Sequence, residues 1–285
     1  MTERLEKLAE DLKISAFGAI EARVFDDLCL DLRKSTGSEP PPETYNPFLT
    51  MPEAKSIIVC LFSYNTKEKG NISKYAMGCD YHSVIKKKLE AFTAPLIESG
   101  YSCMPFSDSW SMNERFLAVL AGLGFIGKNH MLIHPKFGSF VFIGTVLTDC
   151  PLPESKPLDM SCKSCGKCIS ACPGKALSEN LFDETKCVSY ITQKKGELTE
   201  SETAAMLKSG YIWGCDICQT VCPHNTAAPI SEIEEFSDNL ILNLHVDENL
   251  SNREFKRLYF GRAFTWRGIS PILRNQKIFE KYNKN

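Results

Sequence analysis

No apolar run in this chain approaches the roughly 18 to 20 residues that a helix needs to cross a bilayer. Neither sign of charge dominates, the formal net charge being -2. The first absence excludes a helical membrane span, so the expectation is a cytoplasmic protein without a membrane partner. The second excludes a surface that attracts polyanions as a whole, and any nucleic-acid contact has to be a local patch. The opening MTERLEKLAEDLK interleaves charges with Leu5, Leu8 and Leu12, which is the pattern of an amphipathic helix and not of a signal or transit peptide.

Dinucleotide chemistry lacks support too. AGLGFIGKN places Gly122, Gly124 and Gly127 at fingerprint spacing. A dinucleotide site needs a strand before its glycines and a helix after them, so that the pyrophosphate meets the helix N-terminus. Here the order is reversed, with a helical pattern before and a strand pattern after. A glycine-capped helix and a tight turn account for the glycines, and that backbone remains open to another large ligand.

Cysteine, by contrast, is abundant: eight of the thirteen lie between positions 162 and 222. In a reducing compartment so dense a set points to metal rather than disulfides. CKSCGKCISACP supplies Cys162, Cys165, Cys168 and Cys172, and CDICQTVCP supplies Cys215, Cys218 and Cys222, with Cys187 between the groups. The first run has the bacterial ferredoxin spacing, in which the fourth cysteine ligates the other of two clusters. By that crossing, Cys162, Cys165, Cys168 and Cys222 hold one 4Fe-4S cluster, and Cys172, Cys187, Cys215 and Cys218 the other. Two structural zinc sites are the rival assignment, which the unbroken two-residue gaps disfavour. Cys29, Cys60, Cys79, Cys103 and Cys150 are scattered and read as small buried hydrophobes.

Along the chain, STGSEPPPETYNPF reads as a loop, SIIVCLFSY as a buried strand, and Ile85, Leu89, Phe92 and Leu96 predict a helix over 82–98. SMNERFLAVLAGLG predicts a helix ending in glycine, and FGSFVFIGTVLTD a turn entering a strand. CPLPESKPLD, with three prolines, reads as a linker. From 231 onward the signals are helical, and residues 251–285 carry nine Lys or Arg against two Glu, interleaved with Phe255, Tyr259, Phe264 and Trp266.

Taken together, KYAMGCDYHSVIKKKLE, PFSDSWSMNERFLAVLAGLGFIGKNHMLI, FGSFVFIGTVLTDCPLP, CKSCGKCISACPGKAL, CVSYIT and GCDICQTVCPHN resemble the cobalamin-dependent, double-cluster epoxyqueuosine reductases. The likeness runs from about 74 to 225. It implies an α+β fold: a mixed α/β cobalamin and substrate domain (1–149), a ferredoxin-like double 4Fe-4S domain (150–230) and a short helical C-terminal segment (231–285), a short form without the family's C-terminal helical repeats. It further implies base-off cobalamin touched by Asp80, Tyr81, His82, Asn129, His130, Met131, Leu132, Ser189, Cys215 and Asp216, with Asp108 as proton donor. The implied partners are tRNA and an electron donor such as a flavodoxin or ferredoxin. Donation near neutral pH requires Asp108 to lie in an enclosed pocket that raises its pKa; by position alone the residue reads as a helix N-cap. Trp110 stands where the family usually has a small residue or proline. Two other functions fit the same motifs, a related reductase of a small molecule resembling reductive dehalogenases, and a ferredoxin-type electron carrier without catalysis.

Overall fold

The computed structural model describes residues 2–28, 40–179 and 181–283. Cys29 and the start of the proline-rich stretch lie outside the described residues. Helix α1 (Thr2–Asp11) precedes strand β1 (Ala16–Glu21), and after the proline-rich segment comes β2 (Ser56–Ser63). Helix α2 (Tyr81–Glu98), strand β3 (Cys103–Phe106) and helix α3 (Glu114–Leu120) follow. A small hairpin of β4 (Phe125–Ile126) and β5 (Leu132–Ile133) then leads into β6 (Val141–Thr148).

The main sheet has the order β1-β2-β6-β3 with every neighbour antiparallel. Strand β2 is buried at all eight positions, because successive side chains enter opposite cores. Ile58, Cys60 and Phe62 face α1 and α2, meeting Leu5, Ile85, Leu89 and Phe92. Ile57, Val59 and Leu61 face α3, meeting Leu117 and Ala118. A sheet covered on both faces explains why SIIVCLFS carries no polar alternation.

The cysteine-bearing part is built from short helices: α4 (Lys167–Ala171), α5 (Val188–Gln193), α6 (Glu200–Ser209) and α7 (Ile217–Thr220). The C-terminal part adds α8 (Glu234–Ser237), α9 (Asn252–Leu258) and α10 (Ser270–Asn283). These parts share one core, in which Ile72 and Met77 pack with Trp213, Phe255, Phe264 and Ile272. Asn71 seals the seam, donating its amide to Leu244 O at 2.9 Å and accepting Leu244 N–H at 2.8 Å. The CPLPESKPLD segment has no helix or strand, yet it is tied to the sheet edge: Ser155 N–H reaches Ala19 O at 2.7 Å.

Of the scattered cysteines, Cys60 and Cys150 are buried, whereas Cys79 and Cys103 are only half-buried. The helix at 114 is capped by Asn113, whose side chain accepts Phe116 N–H at 3.2 Å, so Asp108 is not its N-cap.

Candidate active site

A cleft of about 1080 Å³ opens between the sheet, the loop from 107 to 113, the β4–β5 hairpin and the cysteine helices. Its walls are apolar at Leu132, Val141, Phe142 and Ile143. The glycines of AGLGFIGKN are not in its lining, to which that stretch gives Ile126 and Asn129. Gly122 has φ +72 and ends helix α3, and a Cβ there would stand 2.4 Å from Lys156 O. Past the turn, Gly127 N–H bonds Met131 O and His130 N–H bonds Gly127 O, so residues 129–131 form a tight loop with His130 at φ +58.

At the mouth four side chains converge. Asp80 caps α2 by accepting His82 N–H at 3.1 Å, and its Oδ1 lies 2.7 Å from His82 Nδ1. The Tyr81 ring stacks on His82 at 4.0 Å and on Phe142 at 4.4 Å. Tyr81 donates its hydroxyl to Asp108 Oδ2 at 2.8 Å, and His82 Nε2 stands 3.8 Å from the same oxygen. Asp108 has φ +53, a left-handed conformation uncommon outside glycine. Its backbone N–H is held by Glu114 Oε1 at 3.0 Å.

The enclosed, raised-pKa Asp108 is corrected here. The side chain is 68% exposed, and the His82 imidazole at ion-pair distance, with the Tyr81 hydroxyl bonded to it, holds its carboxyl below the usual range. His82 is pushed up to about 9 by Asp108 and Asp80. The carboxyl that does rise is Glu114, to about 7, through desolvation beneath the loop. Glu114 and its neighbour Arg115, which donates to His130 O, were not singled out from sequence. An acid and a base opening a helix pass for ordinary end charges, and only packing shows that they brace the loop.

Of the anticipated contacts, Tyr81, Asn129, His130, Met131, Leu132 and Ser189 line the cleft, as do Asp108 and Cys215. Asp80 and His82 stand behind Tyr81 rather than in the lining. Asp216 does not reach the cleft: its buried carboxylate accepts Ser73 Oγ–H and, at 2.7 Å, Lys74 N–H. Asn129 instead touches the cysteine side, its amide reaching Cys218 O at 3.5 Å. Trp110 stacks on Phe106 at 4.9 Å and donates to Thr50 Oγ1 at 3.1 Å, tying the Asp108 loop to the protein body.

The eight clustered cysteines fall into two neighbourhoods. Cys222 senses the charges of Cys162 and Cys165, and Cys168 those of Cys162 and Cys222. Cys215 and Cys218 sense Cys172 and Cys187. Cys165 is exposed, with Lys163 and Lys167 exposed beside it, while Cys172, Cys187, Cys215 and Cys218 all line the cleft. Among the described residues no three His, Cys, Asp or Glu are gathered as a single metal ion would require. A cubane, with irons between its thiolates, spaces its ligands wider.

In the tail, Phe255 and Phe264 are core residues and Tyr259 packs against them. Trp266 is 58% exposed with the Arg267 guanidinium 3.9 Å from its ring centroid, and it donates to Gln193 Oε1. Lys194 is ion-paired to Glu202 at 2.7 Å. Among the described residues no helix is long and apolar enough to cross a membrane.

A cleft reaching from a carboxylate loop to a cysteine quartet defines a class, an iron-sulfur oxidoreductase. Residues 161–225 match the 4Fe-4S double cluster binding domain, and residues 45–109 match the family described as Epoxyqueuosine reductase QueG, DUF1730. The epoxyqueuosine reductase of Lactococcus garvieae (strain Lg2) is 33% identical over 96% of this chain and 85% of its own length. That of Bacillus cereus (strain ATCC 14579) is 35% identical, with this chain spanning 64% of its length. This chain therefore belongs to the epoxyqueuosine reductase family. Among solved structures, an epoxyqueuosine reductase with a tRNA-Tyr epoxyqueuosine-modified stem loop superposes with TM-score 0.85 at 29% identity, covering 98% of this chain and 80% of that one. The Bacillus subtilis enzyme, captured with its aspartate catalytic loop swung out of the active site, gives 0.81 at 30%, covering 96% and 80%. A catabolic reductive dehalogenase shares the fold at TM-score 0.53 and 17% identity, covering 79% of this chain and 32% of that one.

Proposed function

We propose that this chain reduces the epoxide of epoxyqueuosine in tRNA to the alkene of queuosine, in the cytoplasm, with cobalamin in the cleft and electrons from two 4Fe-4S clusters. The observation that carries this reading is the continuity of one cleft from Asp108 to Cys172, Cys187, Cys215 and Cys218. The fit of a macrocycle is supported by size: at about 1080 Å³ the cleft is slightly larger than the range of about 300 to 1,000 Å³ usual for small-molecule sites. The apolar wall of Leu132, Val141 and Ile143 and the loop of Asn129, His130 and Met131 would hold a corrin, with Ser189 on the cysteine side.

When bound, these groups would supply one-electron chemistry at a cobalt centre beside the substrate. The protein's own part is proton supply and orientation. Opening the ring builds negative charge on oxygen, and Asp108 is the carboxyl at the mouth placed to hand over a proton. Tyr81 fixes that carboxyl, Glu114 holds its backbone, and Trp110 pins the loop. The exposed Trp266–Arg267 pair would offer a stacking and phosphate-binding surface to the tRNA. Lys163 and Lys167 beside exposed Cys165 suit an acidic electron donor such as a flavodoxin or ferredoxin.

The test has two stages. Cluster-loaded protein mixed anaerobically with cobalamin should give a bound, base-off absorption spectrum, and its absence would leave only an electron carrier. Turnover of tRNA bearing the epoxide then separates this substrate from a small molecule. Asp108→Asn should keep the corrinoid spectrum and lose turnover by roughly 10²- to 10⁴-fold, the usual contribution of a positioned acid.

A further inference from the structure

Reducing an epoxide to an alkene breaks both C–O bonds, forms C=C and releases the oxygen as water. The balance is two electrons, supplied by the donor class named above, and two protons, both delivered to the same oxygen. A lone carboxylic acid at the site holds one proton. The first proton turns the opening oxygen into a hydroxyl, and the second is needed for that hydroxyl to leave as water. Between the two deliveries the acid has to be recharged.

The geometry around Asp108 supplies the means. The His82 ring is held with Nδ1 2.7 Å from Asp80 Oδ1 and Nε2 3.8 Å from Asp108 Oδ2. Both ring nitrogens therefore face carboxylates, which only accept hydrogen bonds, and the form of the ring that suits both neighbours carries two N–H groups. Nδ1 is within direct hydrogen-bond range. Nε2 is at ion-pair range, a gap that a small rotation or one bridging water closes. We propose that His82 is the proton reservoir of this site: its Nε2–H recharges the Asp108 carboxylate, which passes the proton to the departing oxygen, while Asp80 holds the imidazolium from behind.

The surroundings support this division of labour. At 48% side-chain exposure His82 can be reprotonated from solvent. Half-buried Phe142 stacks beneath the Tyr81 ring, on which His82 stacks in turn, and this pile of rings fixes the plane of the imidazole. The charged groups around the ring are Asp80 and Asp108 in contact, with Glu114 and Arg115 behind the loop acting on Asp108. Asp108 and Asp80 push the imidazole up to about 9, and the nearby imidazolium holds Asp108 low, so near neutrality the stored proton sits on the ring and not on the carboxyl. His82 acts through Asp108 and is a supporting residue; Asp108 remains the group that meets the substrate.

The inference rests on epoxide reduction being the reaction, and the experiment separates the two. In wild-type protein grown with ¹⁵N-histidine, the ring nitrogens of His82, assigned by their loss in His82→Gln, should both be protonated at pH 7.5 and titrate near pH 9. A neutral ring at pH 7 overturns the proposal whether or not the protein turns over. In turnover assays, wild-type kcat should hold through neutral pH and fall as the ring deprotonates. His82→Gln keeps a donor toward Asp80 but stores no proton. Its decline should begin below neutrality, with a loss of roughly 10²-fold at pH 8 that added imidazole partly restores. A His82→Gln profile that overlays the wild type, or a loss that is uniform with pH and unmoved by imidazole, refutes the reservoir role. If wild-type protein leaves epoxyqueuosine tRNA untouched, the functional reading fails while the nitrogen spectra still decide the protonation state.

Discussion

The two cysteine quartets share residue type and each draws on both cysteine runs of the sequence, yet their surroundings differ. One includes exposed Cys165 beside Lys163 and Lys167, and the other lines the cleft that also holds Asp108. Desolvation is strongest at two thiols of the cleft set: it pushes Cys215 up to about 12 and drives Cys218 up as well. In the proposed electron path the two sets take different positions, an outer one beside exposed Cys165 and an inner one at the cleft.

That contrast can be broken most severely from the inside. Cys218→Ala should halve the bound iron and abolish turnover, since the quartet that loses a ligand is the one at the cleft. Iron analysis and reduction of epoxide-bearing tRNA measure both effects, and full turnover with half the iron would mean that the inner position is not on the path. A smaller effect is expected outside. Lys163→Glu combined with Lys167→Glu should raise the KM for an acidic donor by roughly tenfold at low salt, with the difference shrinking as ionic strength rises. Dithionite-driven turnover, which needs no docked protein, should be unchanged.

The smallest expected change sharpens a second contrast, between the exposed Asp108 and the half-buried Glu114. Glu114 has a folded pKa raised from the ordinary 4.5 to about 7. The native state therefore binds its proton more tightly than the unfolded chain, and stability contributed by the protonated form is lost as pH rises from about 4.5 to about 7. Glu114→Gln, which still offers an oxygen to Asp108 N–H, should raise the melting temperature at pH 8 by an amount worth on the order of 2 kcal/mol, with no gain at pH 4.5. An equal effect at both pH values would show that the carboxyl is not desolvated.

Much of this was legible before any fold was in hand. The run CKSCGKCISACP and its partner CDICQTVCP declare cluster chemistry, because four thiolates at those gaps suit few other ligands. Strand β2 and helix α2 followed from apolar pattern, as burial selects side chains at the period of each element. What pattern missed concerns polar side chains. Asp216 sits in the same motif as Cys215 but points inward to Ser73 and Lys74, and Asp108 proved exposed and ionised rather than enclosed. Lys194 is paired to Glu202, a contact that no local pattern shows.

The residue order by itself determined the covalent inventory: which thiols, carboxyls and imidazoles exist, and how far apart along the chain they stand. It determined the helices and strands as well, because these depend on local hydrogen bonding and on apolar periodicity. Tertiary structure alone decided which of those groups meet across a solvent boundary. It set Asp80, His82 and Asp108 in one line, put Glu114 beneath the loop, and made one quartet outer and the other inner. The physical reason is that a polar side chain's protonation depends on dielectric and on neighbours distant in sequence, and both exist only once the cores on either side of the sheet have closed.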